Sequence, residues 1–496
     1  MKRKQKKTLA PLSAEQFRQE SLQHFRPLLD PQEFVALEQE VEHPLLPTLR
    51  VNPLKSDARQ IMEWAKRYHW HTEAIPFCSD GFRIDDQAGT PVSQTIEHRL
   101  GHYYIQEAAS MLPPELFNID ETDPGLTLDL AASPGGKTTH LTARTHDHGL
   151  VFANDSSHGR IPALRIVLQN WGAVNTAISQ FPGEKLGPWF PELFDRALID
   201  APCSMQGLRT AESHATRPVT AKESSTLAKR QQALLTSALQ AVKIGGQVVY
   251  STCTLMPEED EGVIDAILTR FGSAVKVIDV QPSLPFPAPG LTAAEGQNYH
   301  PETAHSIRLW PHRLQTAGFF ACLLQKTDSI ETQQKPAPAR ELSRTGFQPC
   351  TGAEEQRFFR LFRDQFAFAL ESVLQEYHLH LVTRLNKVFV FPERVLSDFV
   401  SLPLESTGML LAEDAGDDDW MPSHDWVCRF GSRFQSSQIT LSEADTELWM
   451  KGKDVPEVAQ GAKGTMVIVK NERGLILGRG KQMGDHLKNL LPRRLI

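Results

Sequence analysis

Two cysteines lie in small-residue turns that each follow an apolar run. Asp200-Ala201-Pro202-Cys203-Ser204 comes after Leu198–Ile199, and Ser251-Thr252-Cys253-Thr254 comes after Val248–Tyr250. A lone Cys at a strand end is more often a small buried hydrophobe. Two of them, each just past a predicted strand of one sheet, suit covalent catalysis, with one thiolate attacking an electron-poor carbon and a neighbouring group helping to resolve the adduct. Asp200 supplies an acid at the same place. Pro257 predicts a helix start just after Cys253, and a helix N-terminus lowers a thiol pKa. Glu258, Glu259 and Asp260 in that first turn would oppose the effect.

The second chemical feature is Gly125–Thr139, GLTLDLAASPGGKTT. It reads as a buried strand (126–131), a tight turn (132–136) and a helix from Lys137. Ligands of parallel α/β sheets bind beyond the carboxyl ends of the strands. A phosphate-binding P-loop requires G-x-x-x-x-G-K-[ST], and its first glycine falls on Ala131, so the phosphate-wrapping loop is absent; G-x-G-x-x-G is absent too. What remains is Asp129 on the strand, the turn Ala131, Ala132, Ser133, Pro134, Gly135, Gly136 with Lys137, and Asp155 after the second strand. An acid at the end of the second strand suits ribose hydroxyls. Acidic groups around one glycine turn suit S-adenosylmethionine, which has a ribose, an ammonium and a sulfonium but no phosphate. A sulfonium methyl donor next to thiols points to cytosine. Cytosine C5 is a poor nucleophile until a thiolate adds to C6, after which C5 takes a methyl and must lose its proton.

The elements that would position these groups form an alternating pattern over residues 100–327. Predicted strands are 126–131, 149–154, 176–180, 195–200, 246–251, 275–280 and 318–325, with amphipathic helices such as 163–171 and 225–242 between them. Such alternation predicts a doubly wound α/β sheet. Five parallel strands and a terminal hairpin after an irregular stretch (282–316) suit the methyltransferase variant. Tyr103–Leu112 has helical spacing. Residues 1–98 predict a small α+β module, with strand 49–52, helix 58–68 and strand 72–76; Ser13 and Gln16 fit a capping box before it. Residues 328–345, polar and Pro-rich at their start, read as a linker. Within 346–496, a helical stretch (346–380) precedes short strands at 388–391, 408–411, 466–470 and 475–478. Asp417–Asp419 reads as a solvated acidic loop, and the final segment carries Lys463, Lys470, Arg473, Arg479, Lys481, Lys488, Arg493 and Arg494, a candidate basic rim for nucleic acid or an ordinary solvated surface.

Over 496 residues the net charge is −8, so any nucleic-acid surface must be local, as in the MKRKQKK tail or that rim. No stretch approaches the roughly 20 apolar residues of a membrane span, and no apolar run follows the tail as in a signal peptide. The 6 cysteines show no metal-ligand spacing, so no metal is expected; free thiols suit the reducing cytoplasm.

LDLAASPGGKT, FDRALIDAPCS, GGQVVYSTCTLMPEEDEGVI, YYIQEAASML and RLWPHRLQTAGFF together resemble the RNA (cytosine-5) methyltransferase family of the Nop/Sun type over about residues 49–327. LRVNPLKSD and ELWMKGKDVP through LLPRRLI resemble its bacterial small-subunit ribosomal RNA methyltransferase F group. The resemblance implies a Rossmann-like S-adenosylmethionine-dependent fold over 99–327, an N-terminal RNA-binding-like module and a PUA-like C-terminal module. It implies methylation of a cytosine in 16S small-subunit RNA, by a monomer; a tRNA enzyme or a silent RNA-binding assembly factor are the rivals. It makes Cys253 the nucleophile and Cys203 the group resolving the adduct, with Asp200 contacting cytosine and the cofactor side. Ala131–Lys137 and Asp155 would hold the cofactor, with Lys137 near the reacting centre. The chain departs from the family in three places. Pro182 stands where an acid usually reaches the adenine, Met205-Gln206-Gly207 replaces a glycine-rich continuation, and Asp260 replaces Asn.

Overall fold

A computed structural model describes residues 19, 21–86, 88–120, 122–208, 219–416, 419–456 and 462–496. The basic tail, the capping box at Ser13 and Gln16, and Asp417 and Asp418 of the acidic loop lie outside the described residues.

Alternation of short apolar runs with turns gives an antiparallel sheet near the N-terminus. Strands β1 (Thr48–Val51), β2 (His71–Ala74), β3 (Gly81–Asp85) and β4 (Tyr103–Ile105) lie in the order β2-β3-β1-β4. Helix Gln60–Tyr68 buries Ile61, Trp64 and Ala65. The helix expected over Tyr103–Leu112 is not there. Its first residues pair with β1 as β4, and only one tight helical turn, Ala108–Met111, follows. Sheet pairing overrides the local periodicity, and Pro113 and Pro114 sit at the start of the short helix Leu112–Glu115, where their missing N–H groups cost nothing.

The central sheet contains β5 (Leu126–Asp129), β6 (Leu150–Asn154), β7 (Thr176–Ser179), β8 (Phe194–Asp200) and β9 (Val242–Thr252). Its order is Val275–Val277, Phe319–Lys326, β9, β8, β5, β6, β7, Ser406–Thr407. β5 to β9 are mutually parallel, and Phe319–Lys326 runs antiparallel to β9, as the methyltransferase variant predicts. β5, β6 and β7 are buried along their whole length, because helices on both faces leave a parallel sheet no wet side. Strand order reverses between β5 and β8, so the carboxyl ends of these two strands flank the crevice where such sheets bind ligands.

The segment expected to be a free linker is strapped to this sheet instead. Ile330 joins the core around β5 and β8, Lys335 N–H donates to the Pro188 carbonyl at 2.9 Å, and Arg340 N–H donates to that of Ser401. The stretch 346–380 divides into helices Gly352–Phe366 and Leu370–Glu376, the first opened by a Thr351–Glu354 capping box. Two five-stranded sheets follow. Ser406–Thr407 pairs antiparallel with β7, which closes the open edge of the central sheet. The basic rim is partly spent on the protein itself: Arg473 pairs with Glu443, Arg494 with Asp425, and Lys470 Nζ donates to Gln438 at 2.7 Å. Among the described residues no helix is long and apolar enough to cross a membrane.

Candidate active site

At the carboxyl end of β5 the chain turns sharply through Ala131–Gly136 into helix Gly136–Arg144. Gly135 caps that helix at φ 117°, a conformation that excludes ordinary side chains. A Cβ on Gly136 would lie 3.0 Å from the Tyr104 ring. Arg50 of β1 clamps the turn from below: its Nη2 donates to the Gly136 carbonyl at 3.1 Å and to Thr139 Oγ1 at 2.7 Å. The N-terminal sheet therefore braces the cradle, through a residue whose role the sequence did not signal.

The three acids predicted around the cradle differ in how they are satisfied. Asp129 is buried; Thr138 Oγ1 donates to its Oδ2 at 2.7 Å, while its Oδ1 has no partner. Burial pushes its carboxyl up to about 7, and Asp200, Lys137 and Asp155 all lie within electrostatic reach. Asp155 accepts from Ser133 N–H at 3.1 Å and Ser157 N–H at 2.8 Å, and Arg160 approaches it at 3.4 Å. It thus ties the cradle to the end of β6. Asn154 continues this brace, donating to the carbonyls of Leu130 and Phe181 at 3.1 and 3.0 Å. Pro182 begins a short helical turn over Gly183–Lys185, so no acidic side chain projects from that position.

Asp200, at the end of β8, receives Lys137 Nζ on Oδ2 at 2.8 Å and Ser251 Oγ on Oδ1 at 3.2 Å. Lys137 also donates to Ser110 Oγ at 2.7 Å. Its side chain is only 8% exposed, against 37% for Asp200, so the lysine is sealed below a carboxylate that faces the crevice. Ser110 lies in the YYIQEAASML run but sequence reasoning gave it no role; no spacing rule links it to Lys137.

The two thiols meet. Cys203 Sγ and Cys253 Sγ are 3.3 Å apart, and both residues are partly exposed. The hydrogen bond with Cys253, and secondly burial, drive the Cys203 thiol well above its ordinary range. The helix expected just after Cys253 begins only at Glu261, with Pro257–Asp260 forming a turn, so no helix N-terminus adjoins the thiol. The acids of that turn are also placed otherwise than expected. Glu259 Oε2 accepts Ser204 N–H at 3.0 Å and Gln231 Nε2 at 2.9 Å, fixing the Cys203 turn. Asp260 is sealed in the interior, where it accepts from Thr252 Oγ1 at 2.6 Å and faces Arg308 at 3.3 Å. Arg308 further bonds Glu261 and donates Nη1–H to the Leu255 carbonyl at 2.8 Å, so it anchors the strand-end loop that carries Cys253. Gly207 packs against the same loop: a Cβ there would stand 2.6 Å from the Cys253 carbonyl.

One grouping had no signature in the linear sequence. Ligand atoms of Cys78, Glu115 and His140 lie within 4.8 Å of one another. Arg144 pairs with Glu115, His140 Nε2 lies 2.9 Å from its other oxygen, and burial lowers the His140 pKa to about 4. With Arg144 already on the carboxylate, Glu115 is balanced by an ion pair, while His140 Nδ1 is buried without a partner.

Comparison with known proteins agrees with this geometry. Residues 116–325 match the family model described as 16S rRNA methyltransferase RsmB/F, and residues 17–108 match that of the N-terminal domain of 16S rRNA methyltransferase RsmF. The chain is 33% identical over 469 residues to ribosomal RNA small subunit methyltransferase F of Aeromonas hydrophila, covering 94% of this chain and 93% of that protein. It is 31% identical to the protein of the same name from Psychromonas ingrahamii, covering 94% and 93%. A methyltransferase homologue from Pyrococcus horikoshii superimposes with a TM-score of 0.53 at 29% identity, over 61% of this chain and 93% of that one. NSun6 from the same organism shares the fold, with a TM-score of 0.52 at 20% identity, over 63% and 98%. With relatives matched along nearly its whole length and a Rossmann-like methyltransferase sheet at its centre, the chain belongs to the 16S rRNA methyltransferase RsmB/F family.

Proposed function

We propose that this chain transfers a methyl group from S-adenosylmethionine to C5 of a cytosine in 16S small-subunit ribosomal RNA, through a covalent bond from Cys253 to C6. The observation that carries the reading is the contact of Cys203 and Cys253 at 3.3 Å, next to the Asp200–Lys137 pair.

The cradle suits the cofactor. Asp129 keeps a buried oxygen without a partner in a turn that lacks a phosphate loop, so a cationic donor such as the cofactor's ammonium would complete it. Ala131, Ala132, Ser133, Pro134, Gly135, Gly136, Lys137, Asp155 and Asp200 would hold the rest, and the bound cofactor supplies an electrophilic methyl carbon. The two thiols share a hydrogen bond in which either sulfur can donate; with Cys253 as the attacking thiolate, the Cys203 thiol, whose pKa that contact raises, keeps its proton and donates to it. Its thiolate adds to C6, and the electron pair of the C5=C6 bond moves onto C5 and the N3–N4 edge. Asp200, held on both oxygens and open to the crevice, receives that edge. Once Cys253 is bonded to carbon its charge is gone, and the main cause raising the Cys203 pKa lapses. Cys203, which is partly exposed, then gives its thiol proton to solvent, and the resulting thiolate takes the C5 proton; the electron pair left on C5 re-forms the C5=C6 bond and Cys253 leaves as a thiolate. Free cysteines throughout the described chain suit a cytoplasmic enzyme, and the C-terminal sheets suit a PUA-like RNA-binding module.

The test is methyl transfer from labelled cofactor to naked 16S RNA, assembled small subunits and bulk tRNA, with the product base identified. Label on 5-methylcytosine of small-subunit RNA is expected. Cys253→Ala should abolish transfer while cofactor affinity persists, and Cys203→Ala should accumulate a protein–RNA adduct. Label confined to tRNA would overturn the substrate, and the reverse behaviour of the two variants would overturn their roles.

A further inference from the structure

A second surface, away from the thiols, has the composition of a nucleotide-stacking site. A groove of about 350 Å³ runs between helix Ile161–Trp171 of the central domain and the sheet that contains Leu379–Arg384 and Lys387–Pro392. Four phenylalanines line it: Phe347, Phe389, Phe391 and Phe399. Phe391 is buried in the floor, while Phe347 and Phe389 are half-buried and keep part of their faces in the groove. Phe347 and Phe389 meet edge to face at 5.3 Å and 82°, so they do not stack on each other, and Phe347 and Phe391 are tilted at 56°. Three arginines rim the groove: Arg165, Arg340 and Arg384. Arg384 lies over the Phe347 ring at 5.0 Å and Arg340 is exposed, while Arg165 is paired with Glu405, the only acid in the lining. A net positive rim on a chain of net charge −8 is a local concentration.

We infer that this groove binds an unpaired segment of the substrate RNA, with a base against Phe347 and Phe389 and its flanking phosphates at Arg340 and Arg384. Aromatic faces with interleaved arginines are what single strands need, since bases stack and phosphates pair whatever the sequence. A duplex hides its bases and gains only the charge. The cradle lies nearby along the same helix: Arg160, which approaches Asp155, precedes Arg165 by five residues, or about 7.5 Å of helix rise. Placed so, the groove would hold RNA that continues past the reacting cytosine. The inference rests on the RNA substrate proposed above.

The test uses the full chain and a fluorescent, unstructured single-stranded RNA of about 12 nucleotides, compared with its duplex. Phe347→Leu with Phe389→Leu keeps an apolar lining but removes the π-faces; single-strand affinity should fall about tenfold and duplex affinity should hold. Arg340→Gln with Arg384→Gln, both at exposed positions, should flatten the salt dependence by a slope of about 1.4, the value for two single-strand phosphates. Cofactor binding should be unchanged in both. Equal single-strand affinity in wild type and both variants would overturn the inference. So would a glutamate-rich peptide that binds in the same variant-dependent way when RNA does not, which would make the groove a protein-docking site. Loss of all methyl transfer to RNA, with groove binding intact, would break the proposed reaction and leave this inference standing.

Discussion

Two ionic clusters meet the two ends of one short loop, and they are built in opposite ways. At the crevice, Lys137 and Asp200 stand beside the thiols, and Asp200 is 37% exposed. On the inner side, Arg308, Asp260 and Glu261 are all sealed at 0% exposure. In the sealed cluster, Arg308 bonds two carboxylates and the Leu255 carbonyl. Around the crevice, Asp129 Oδ1 lacks a partner, Cys203 and Cys253 face each other and are partly exposed, and Asp200 still faces solvent. Unsatisfied or exposed polar groups mark where a ligand completes the site, and complete satisfaction marks where charge fixes geometry. The Cys253 loop is held rigidly from one side so that it is presented to the other.

The sharpest way to break that contrast is to remove one charge from each cluster. Asp200→Asn keeps the shape and one oxygen to accept from Lys137, but loses the charge and the second acceptor, so it should lower kcat on the order of 10³-fold, with a smaller loss of stability than the sealed cluster shows. Arg308→Met strands two buried acids and should destabilise the fold by roughly 3–5 kcal/mol, the cost of breaking a buried pair from one side. Thermal melting and single-turnover kinetics on both proteins check this. If Asp200→Asn melts as early as Arg308→Met, or Arg308→Met melts no earlier than wild type, the clusters do not divide in this way.

A smaller effect concerns Asp129. Its folded pKa is raised to about 7 by burial, so in the ligand-free protein it contributes stability at pH below 3.8 that is lost as pH rises through 7. Asp129→Asn should therefore gain on wild type, by on the order of a few kcal/mol, between pH 4.5 and 7.5. With cofactor present at neutral pH the order should reverse. Melting curves at the two pH values, with and without cofactor, measure it; an unchanged difference would mean that Asp129 is not held out of water for a ligand.

Asp155 gives the smallest expected change. Asp155→Ala removes the brace at Ser133 and Ser157 as well as the proposed ribose acceptor, and should weaken cofactor binding about tenfold, or ~1.4 kcal/mol, by calorimetry. Unchanged affinity would reduce Asp155 to a structural tie.

The central strands were legible because a sheet buried on both faces leaves continuous apolar runs, as in the LVFA of β6. The cradle was legible because glycine at φ 117° and a strand-end acid have few substitutes. Tyr103–Leu112 misled because helical spacing of apolar residues also fits an edge strand followed by a turn. The polar 328–341 segment misled because composition does not tell a tether from a strap, and a single Ile330 decides it. Glu259 and Asp260 misled most usefully, since from sequence they repel a thiolate, and in the fold they are spent on Ser204, Gln231, Thr252 and Arg308.

By itself the sequence determined the strand and helix order of the central sheet, the absence of a phosphate loop, and two thiols at the ends of neighbouring strands, because each depends on periodicity or on a local turn. Only the tertiary structure decided that the thiols touch, that Lys137 points to Asp200 and Ser110, and that Arg308 holds the Cys253 loop. Those contacts join residues 27 to 63 positions apart in the chain; it is the register of β5, β8 and β9, not any local preference, that brings their ends to one crevice.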